Sequence, residues 1–253
     1  MATETYLADC IVLKKTKLGE ADLILTFLNE RGERTQGVAK GARKPQSSFS
    51  SYLELGNVVH ILFARGKKLP VITETRLLAS HPLLQTDAAR FAAASSILEF
   101  VAKTSEENLE QPRLFAMTTT ALDACETLPA VYLPHLVAAF FLKAVSFSGL
   151  RPSIRLCASC GMPTDLAGTS YLSFSVSEGG VVCDRCALDV DHRSTPTSDL
   201  ALAEALIGSR FDDIPALDEN AGRGRAMIDL AQMWVAAHTA TRIRSLDLLE
   251  LYC

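Results

Sequence analysis

The sequence predicts an α+β, multidomain chain: a small five-stranded β-barrel over residues 1–80, followed by an α-helical domain over 81–253. Three observations carry this. Short extended runs punctuated by turn residues fill the first third. Apolar residues at helical spacing fill most of the remainder. Two C-x-x-C pairs interrupt the helices, marking an insert at about 155–190.

The extended runs are Tyr6–Lys15, Asp22–Asn29, Glu33–Lys40, Asn57–Ala64 and Pro70–Leu77, rich in Val, Ile, Leu, Thr and Phe. Leu18-Gly19-Glu20, Glu30-Arg31-Gly32-Glu33, the stretch from Gly41 to Ser51, and Arg65-Gly66-Lys67-Lys68 separate them. Five short strands avoid exposed edges most simply by closing on themselves. A five-stranded OB barrel fits the count and length, and an SH3-like barrel fits nearly as well by pattern alone. Ser80–Pro82 is the expected linker. Helices are then expected at Asp87–Lys103, capped by Asp87, at Asn108–Leu128, and at Val131–Gly149, stopped by Gly149. Two more are expected at Ser198–Ser209, capped by Ser198, and at Gly224–Thr241, with Arg193–Thr197 as a short loop.

With 48% hydrophobic and 21% charged residues, the composition is that of an ordinary folded protein. The sequence is expected to hold no 18-residue apolar run and so no transmembrane helix, and MATETYLADC lacks a secretory pattern, so a cytoplasmic, non-membrane protein is expected. The net charge of −4 is unevenly spread. Residues 1–80 hold 12 Lys and Arg against 8 Asp and Glu, while the rest hold 13 against 21. A basic first third on an acidic chain points to a localised site for an anionic partner.

Disulfides are not expected in a reducing compartment, so the seven cysteines need another account. Cys157-Ala158-Ser159-Cys160 and Cys183-Asp184-Arg185-Cys186 are 22 residues apart. Each pair presents two thiolates from one turn, and two turns complete a tetrahedral set around one Zn²⁺. Gly161 suits the sharp turn beside the metal. Tyr171–Ser175 and Val181–Val182, around Glu178-Gly179-Gly180, form the expected hairpin of a zinc ribbon or knuckle. Four protein ligands leave no open position, so the metal is expected to be structural. The competing readings are a redox pair or four buried thiols, but no thioredoxin-like unit surrounds them. Cys10 and Cys125 are expected in the core, and Cys253 as a terminal bystander.

Between the third and fourth strands lies Ala39-Lys40-Gly41-Ala42-Arg43-Lys44-Pro45-Gln46-Ser47-Ser48-Phe49. Cations, a glycine and hydroxyls are the mixture that phosphate contacts require. Lys40, Arg43 and Lys44 are the foremost DNA-binding candidates. Lys14, Lys15, Lys17, Arg31, Arg34, Arg65, Lys67 and Lys68 fall at strand ends or turns, where they could line the same groove. Phe49, Tyr52 and Phe63 are either stacking faces or, more simply, barrel core. No phosphate-binding G-x-x-x-x-G-K-[ST], no H-E-x-x-H and no G-x-S-x-G is present. His60, His81, His135, His192 and His238 are scattered singly and expected to be structural. Glu20 with Asp22, and Asp212 with Asp213, are expected to be turn or helix-end charges. No enzymatic constellation is found.

Together these residues resemble the RecO family. Gly19-Glu20-Ala21-Asp22-Leu23-Ile24-Leu25-Thr26 is similar to its second-strand signature, and Val38-Ala39-Lys40-Gly41-Ala42-Arg43-Lys44-Pro45 to its basic loop. Gly149-Leu150-Arg151-Pro152, Cys157-x-x-Cys160-Gly161 and Cys183-x-x-Cys186 are similar to its zinc segment. The resemblance spans roughly residues 5–190 and favours the OB fold over other small barrels. It departs at Ser50-Ser51-Tyr52-Leu53-Glu54-Leu55, which is leaner than the family's proline- and aromatic-containing stretch.

The resemblance implies a non-enzymatic mediator of DNA repair and recombination. It implies binding of single- and double-stranded DNA without sequence preference, and annealing of complementary strands. The implied partners are RecR and the C-terminal tail of single-stranded-DNA-binding protein, and indirectly RecA and RecF, in a nucleoid-associated setting. The implied zinc is a stabiliser. The main alternative is a zinc-ribbon interaction scaffold without annealing activity.

Overall fold

The structure is a computed structural model that describes residues 4–252 other than 48 and 50. The expectation for Cys253, and the two hydroxyls Ser48 and Ser50, lie outside the described residues.

Five strands form a closed barrel: β1 (Thr5–Leu18), β2 (Asp22–Asn29), β3 (Arg34–Ala39), β4 (Val58–Ala64) and β5 (Val71–Ala79), ordered β1-β2-β3-β5-β4. β1 closes the ring because its 14 residues serve two neighbours. Thr5–Ile11 pair with β4, and Cys10–Leu18 pair with β2. A register shift between Val12 and Lys14 gives β1 the bend that closure needs. β3 meets β5 in parallel at Val38 and Val71. This is the OB-like barrel expected. Val12, Leu25, Phe27, Val59, Ile61 and Phe63 alternate inward to form its core, joined by Cys10. Burial pushes the Cys10 thiol well above its usual range, as suits a core residue.

Three helices follow: α1 (Leu83–Thr86), α2 (Ala88–Thr104) and α3 (Pro112–Thr127). The Asp87 carboxylate accepts from the Arg90 N–H at 3.0 Å, so the expected cap is in place. α3 begins four residues later than expected. Pro112 suits a first helical turn, while Asn108 is held at φ +63° outside the helix. Within the expected linker Ser80–Pro82, His81 is anchored. His81 is 3% exposed, and its ring nitrogens meet the Gly56 carbonyl at 3.1 Å and the Asp123 carboxylate at 3.0 Å. Cys125 is fully buried and its thiol is pushed up to about 12.

The chain divides into two compact units, Met1–Thr127 with Arg244–Leu248, and Leu128–Ile243 with Leu249–Cys253. The second unit is built around α4 (Leu133–Phe147), buried on nearly every side through Leu136, Val137, Phe140 and Phe141. Contrary to expectation, Ala130–Phe147 is long and apolar enough to cross a membrane by length and composition; most of it is buried within the protein, as in a core helix. It stops as expected near Gly149, whose N–H donates to the Ser146 carbonyl at 3.1 Å.

The insert then contributes β6 (Tyr171–Ser175), β7 (Gly180–Val182), α5 (Asp184–Ala187) and β8 (Arg193–Pro196). β8 replaces the expected loop. It pairs antiparallel with β6, from Tyr171 opposite Pro196 to Phe174 opposite Arg193, because an open hairpin leaves β6 unpaired on one side. α6 (Thr197–Gly208), α7 (Ile214–Leu217) and α8 (Gly224–Thr239) complete the unit. Ser198 lies inside α6 rather than capping it. Pro196, already fixed near a helical φ, precedes the first turn and makes no side-chain cap bond. The buried Trp234 of α8 packs on Phe174 at 5.6 Å and donates to the Leu150 carbonyl at 2.8 Å, fixing the chain as it enters the cysteine segment.

Candidate metal centre and nucleic-acid interface

Two short turns present the cysteines. In the first, Gly161 takes φ +73°, a backbone state that side-chain-bearing residues rarely adopt, and its N–H donates to the Cys157 carbonyl at 2.8 Å. Ala158 N–H donates to the Val181 carbonyl at 2.7 Å, locking this turn onto β7. β7 then delivers Cys183 directly, and α5 closes the second turn, with Ala187 N–H donating to the Cys183 carbonyl at 2.9 Å. The result brings the sulfurs of Cys157, Cys160, Cys183 and Cys186 within 4.8 Å of one another. Cys157, Val182 and Ala187 form a small apolar core beneath them.

The electrostatics fit a cation. Burial alone would raise the Cys157 thiol, but N–H groups of Cys183, Cys160 and Ser159 point at it and bring it down to about 6. The Cys183 N–H lies 3.3 Å from its sulfur. Cys186 is pushed up to about 12, chiefly by the Cys183 and Cys160 sulfurs. Four sulfurs therefore crowd one another, which opposes ionising them all, and a bound divalent ion is what relieves such crowding. The cluster can hold a metal ion at the four positions predicted.

The eleven cations proposed for DNA do not converge in this way; the structure separates them into groups, and Arg31 lies apart, paired with Glu110 at 3.6 Å. Leu23 lies opposite Ala39, Val38 lies opposite Val71, and Val38 N–H donates to the Pro70 carbonyl at 2.9 Å. These registers bring the Gly19–Ala21 turn, the start of the basic segment at Lys40, and the Arg65–Pro70 turn to one edge of the barrel. Lys40, Arg43 and Lys44 are exposed there, as are Arg65, Lys67 and Lys68, with Arg65 paired to Glu4 at 3.0 Å. Lys15, Lys17, Arg43 and Phe49 line a recess of about 270 Å³. Lys15 is partly spent on Glu54 at 2.8 Å. Lys14 and Arg34 instead line a separate cavity. Successive strand residues face opposite sides, so neighbours Lys14 and Lys15 part company.

Two residues have roles that the sequence did not assign. The Asp22 carboxylate accepts from Gly41 N–H at 2.8 Å, at a glycine with φ +68°, and so holds the mouth of the basic segment. Arg43 donates to the Gly19 and Glu20 carbonyls at 3.1 and 2.9 Å, tying the segment to the β1–β2 turn. Neither contact leaves a spacing signal, because the partners are backbone groups about twenty residues away. Phe63 is fully buried, so it belongs to the core and offers no stacking face, while Phe49 is half-buried and Tyr52 is 38% exposed.

Comparison with known proteins finds one family along nearly the whole chain. The family model described as "Recombination protein O N terminal" matches residues 1–81, and "Recombination protein O C terminal" matches residues 85–247. A DNA repair protein RecO from Frankia casuarinae is 34% identical over 97% of this chain and 98% of its own. Those of Nocardioides sp. and Streptomyces griseus are 30% and 32% identical, covering 97% and 96% of this chain and 99% and 97% of theirs.

Proposed function

The chain belongs to the RecO family of DNA repair and recombination proteins, and from that premise we propose that its barrel edge binds single- and double-stranded DNA through phosphates and anneals complementary strands. The observation that carries this is the strand register, which gathers the β1–β2 turn, the basic segment and the β4–β5 turn on one edge. Lys40, Arg43 and Lys44, with Lys15, Lys17, Arg65, Lys67 and Lys68 around them, neutralise phosphate charge and release counterions, which is independent of base sequence. Lowering the repulsion between two backbones lets complementary bases meet. No covalent step is involved, so the protein works without catalysis.

The barrel, residues 1–80, is the DNA-binding domain, and residues 81–253 form the domain that docks partners. These are RecR and the C-terminal tail of single-stranded-DNA-binding protein, and through them RecA and RecF, in the cytoplasm. Cys157, Cys160, Cys183 and Cys186 hold one Zn²⁺, which cross-links the two cysteine turns and supplies no reactive group. Mixing fluorescently labelled complementary oligonucleotides with the purified protein tests the proposal. Faster annealing in its presence is expected. Annealing no faster than that of the free strands, with folding verified, rejects it.

A further inference from the structure

We propose that the cavity between the barrel wall and α2 is a second ligand site, separate from the DNA edge, which takes a nucleoside 5′-monophosphate unit. Its volume is about 580 Å³, within the range of roughly 300–1,000 Å³ typical of small-molecule sites. Leu13, Leu55, Leu98 and Ala102 give it an apolar lining suited to a planar ring. Lys14 and Arg34, two cations that the DNA edge does not use, line the same space.

Lys14 has no partner among the described residues. Arg34 spends one N–H on the Ala102 carbonyl at 3.4 Å and keeps its other donors. A guanidinium fork beside a lysine point charge is the pairing that recognises a phosphate. Gln36 and Ser95 add an amide and a hydroxyl to the wall, able to meet the polar edge of a base.

The cavity also carries acids, and their state decides the sign of its charge. Glu99 is occupied by Lys103 at 2.7 Å and by the N–H and hydroxyl of Ser245 at 2.8 and 2.6 Å. Glu107 is exposed. The Lys103–Glu99 pair cancels, and Lys14 with Arg34 outweighs Glu107 by one positive charge. A phosphate-bearing, ring-containing ligand satisfies both the apolar lining and this excess. Two sources share that chemistry: a free mononucleotide, and the 5′-phosphorylated end of a strand. The inference does not rest on the annealing activity.

Titration calorimetry of the full chain with adenosine 5′-monophosphate, inorganic phosphate and octanoate tests it. Saturable one-to-one binding of the mononucleotide is expected, at least tenfold tighter than either probe. The double variant Lys14→Ala/Arg34→Ala is expected to weaken it tenfold or more, and so is the milder Arg34→Gln in part, whereas Arg113→Ala, an exposed cation that does not line the cavity, leaves it unchanged. A 5′-phosphorylated oligonucleotide that displaces the mononucleotide assigns the cavity to strand ends; failure to displace it assigns the cavity to free nucleotide. No saturable mononucleotide binding overturns the inference. So does binding that survives the double variant, or octanoate or phosphate binding as tightly.

Discussion

The cysteine insert and the basic barrel edge are both assembled from turns, yet they are organised by opposite rules. In the insert, four sulfurs separated by up to 29 positions in the chain converge within 4.8 Å. At the barrel, the candidate cations other than Arg31 disperse over an edge, a recess and a cavity on another face. Tetrahedral coordination demands convergence, so losing one ligand breaks the whole. Phosphate neutralisation sums over independent contacts, so losing one cation subtracts a share. The first region should therefore respond to mutation as a switch and the second as a dial.

The sharpest contrast comes from the insert. Cys183→Ser is expected to abolish stoichiometric metal, measured by atomic absorption, and to destabilise the second unit by several kcal/mol. Structural zinc binding in small peptides is worth about 10–16 kcal/mol, of which the packed helices here would retain part. A variant that keeps both its metal and its melting curve would show that the four sulfurs are not a unit. At the barrel, Lys40→Ala/Arg43→Ala/Lys44→Ala is expected to weaken oligonucleotide binding by roughly tenfold or more, equally for all sequences, with only a small loss of stability from the two Arg43 hydrogen bonds to the Gly19 and Glu20 carbonyls. Loss confined to one sequence would contradict backbone recognition.

A third change probes stability within the first unit. Burial alone would raise the Glu99 carboxyl, but Lys103 and Ser245 outweigh it and hold it near 2. A depressed folded-state value means stability that is present above the ordinary carboxylate range, about 4.3, and lost as pH falls toward about 2. Glu99→Gln is expected to cost about 1.5–3 kcal/mol in urea unfolding at neutral pH and little at pH 2. An equal cost at both pH values would remove the charge from the explanation.

The smallest effect is expected from Asp22→Ala. It frees the Gly41 N–H at a cost of about 0.5–1.5 kcal/mol. DNA affinity should fall less than in the triple variant, with its salt dependence intact, because no cation is lost. A changed salt dependence would mean that Asp22 does more than hold the loop.

The same contrast explains what the sequence disclosed. The knuckle was legible because coordination imposes spacing: two C-x-x-C pairs and a glycine at Gly161 encode the site locally. The barrel strands were legible because alternation such as that of Val59, Ile61 and Phe63 records an inward face. β8 was not, since Arg193–Pro196 has no apolar alternation and becomes a strand only because β6 offers an unpaired edge. The split between Lys14 and Lys15 was equally hidden. It depends on which side of β1 each faces across a register shift, and adjacent lysines look alike in sequence. The buried character of Ala130–Phe147 was likewise a matter of surroundings, as composition alone fits a membrane span or a core.

Measuring the affinity for a single-stranded oligonucleotide across a series of salt concentrations tests the account most directly. Removing Lys40, Arg43 and Lys44 together is expected to flatten the slope of log affinity against log salt by about 2, near 0.7 for each lost phosphate contact on a single strand. Parallel lines for the parent and the triple variant would place the phosphate contacts elsewhere and contradict it.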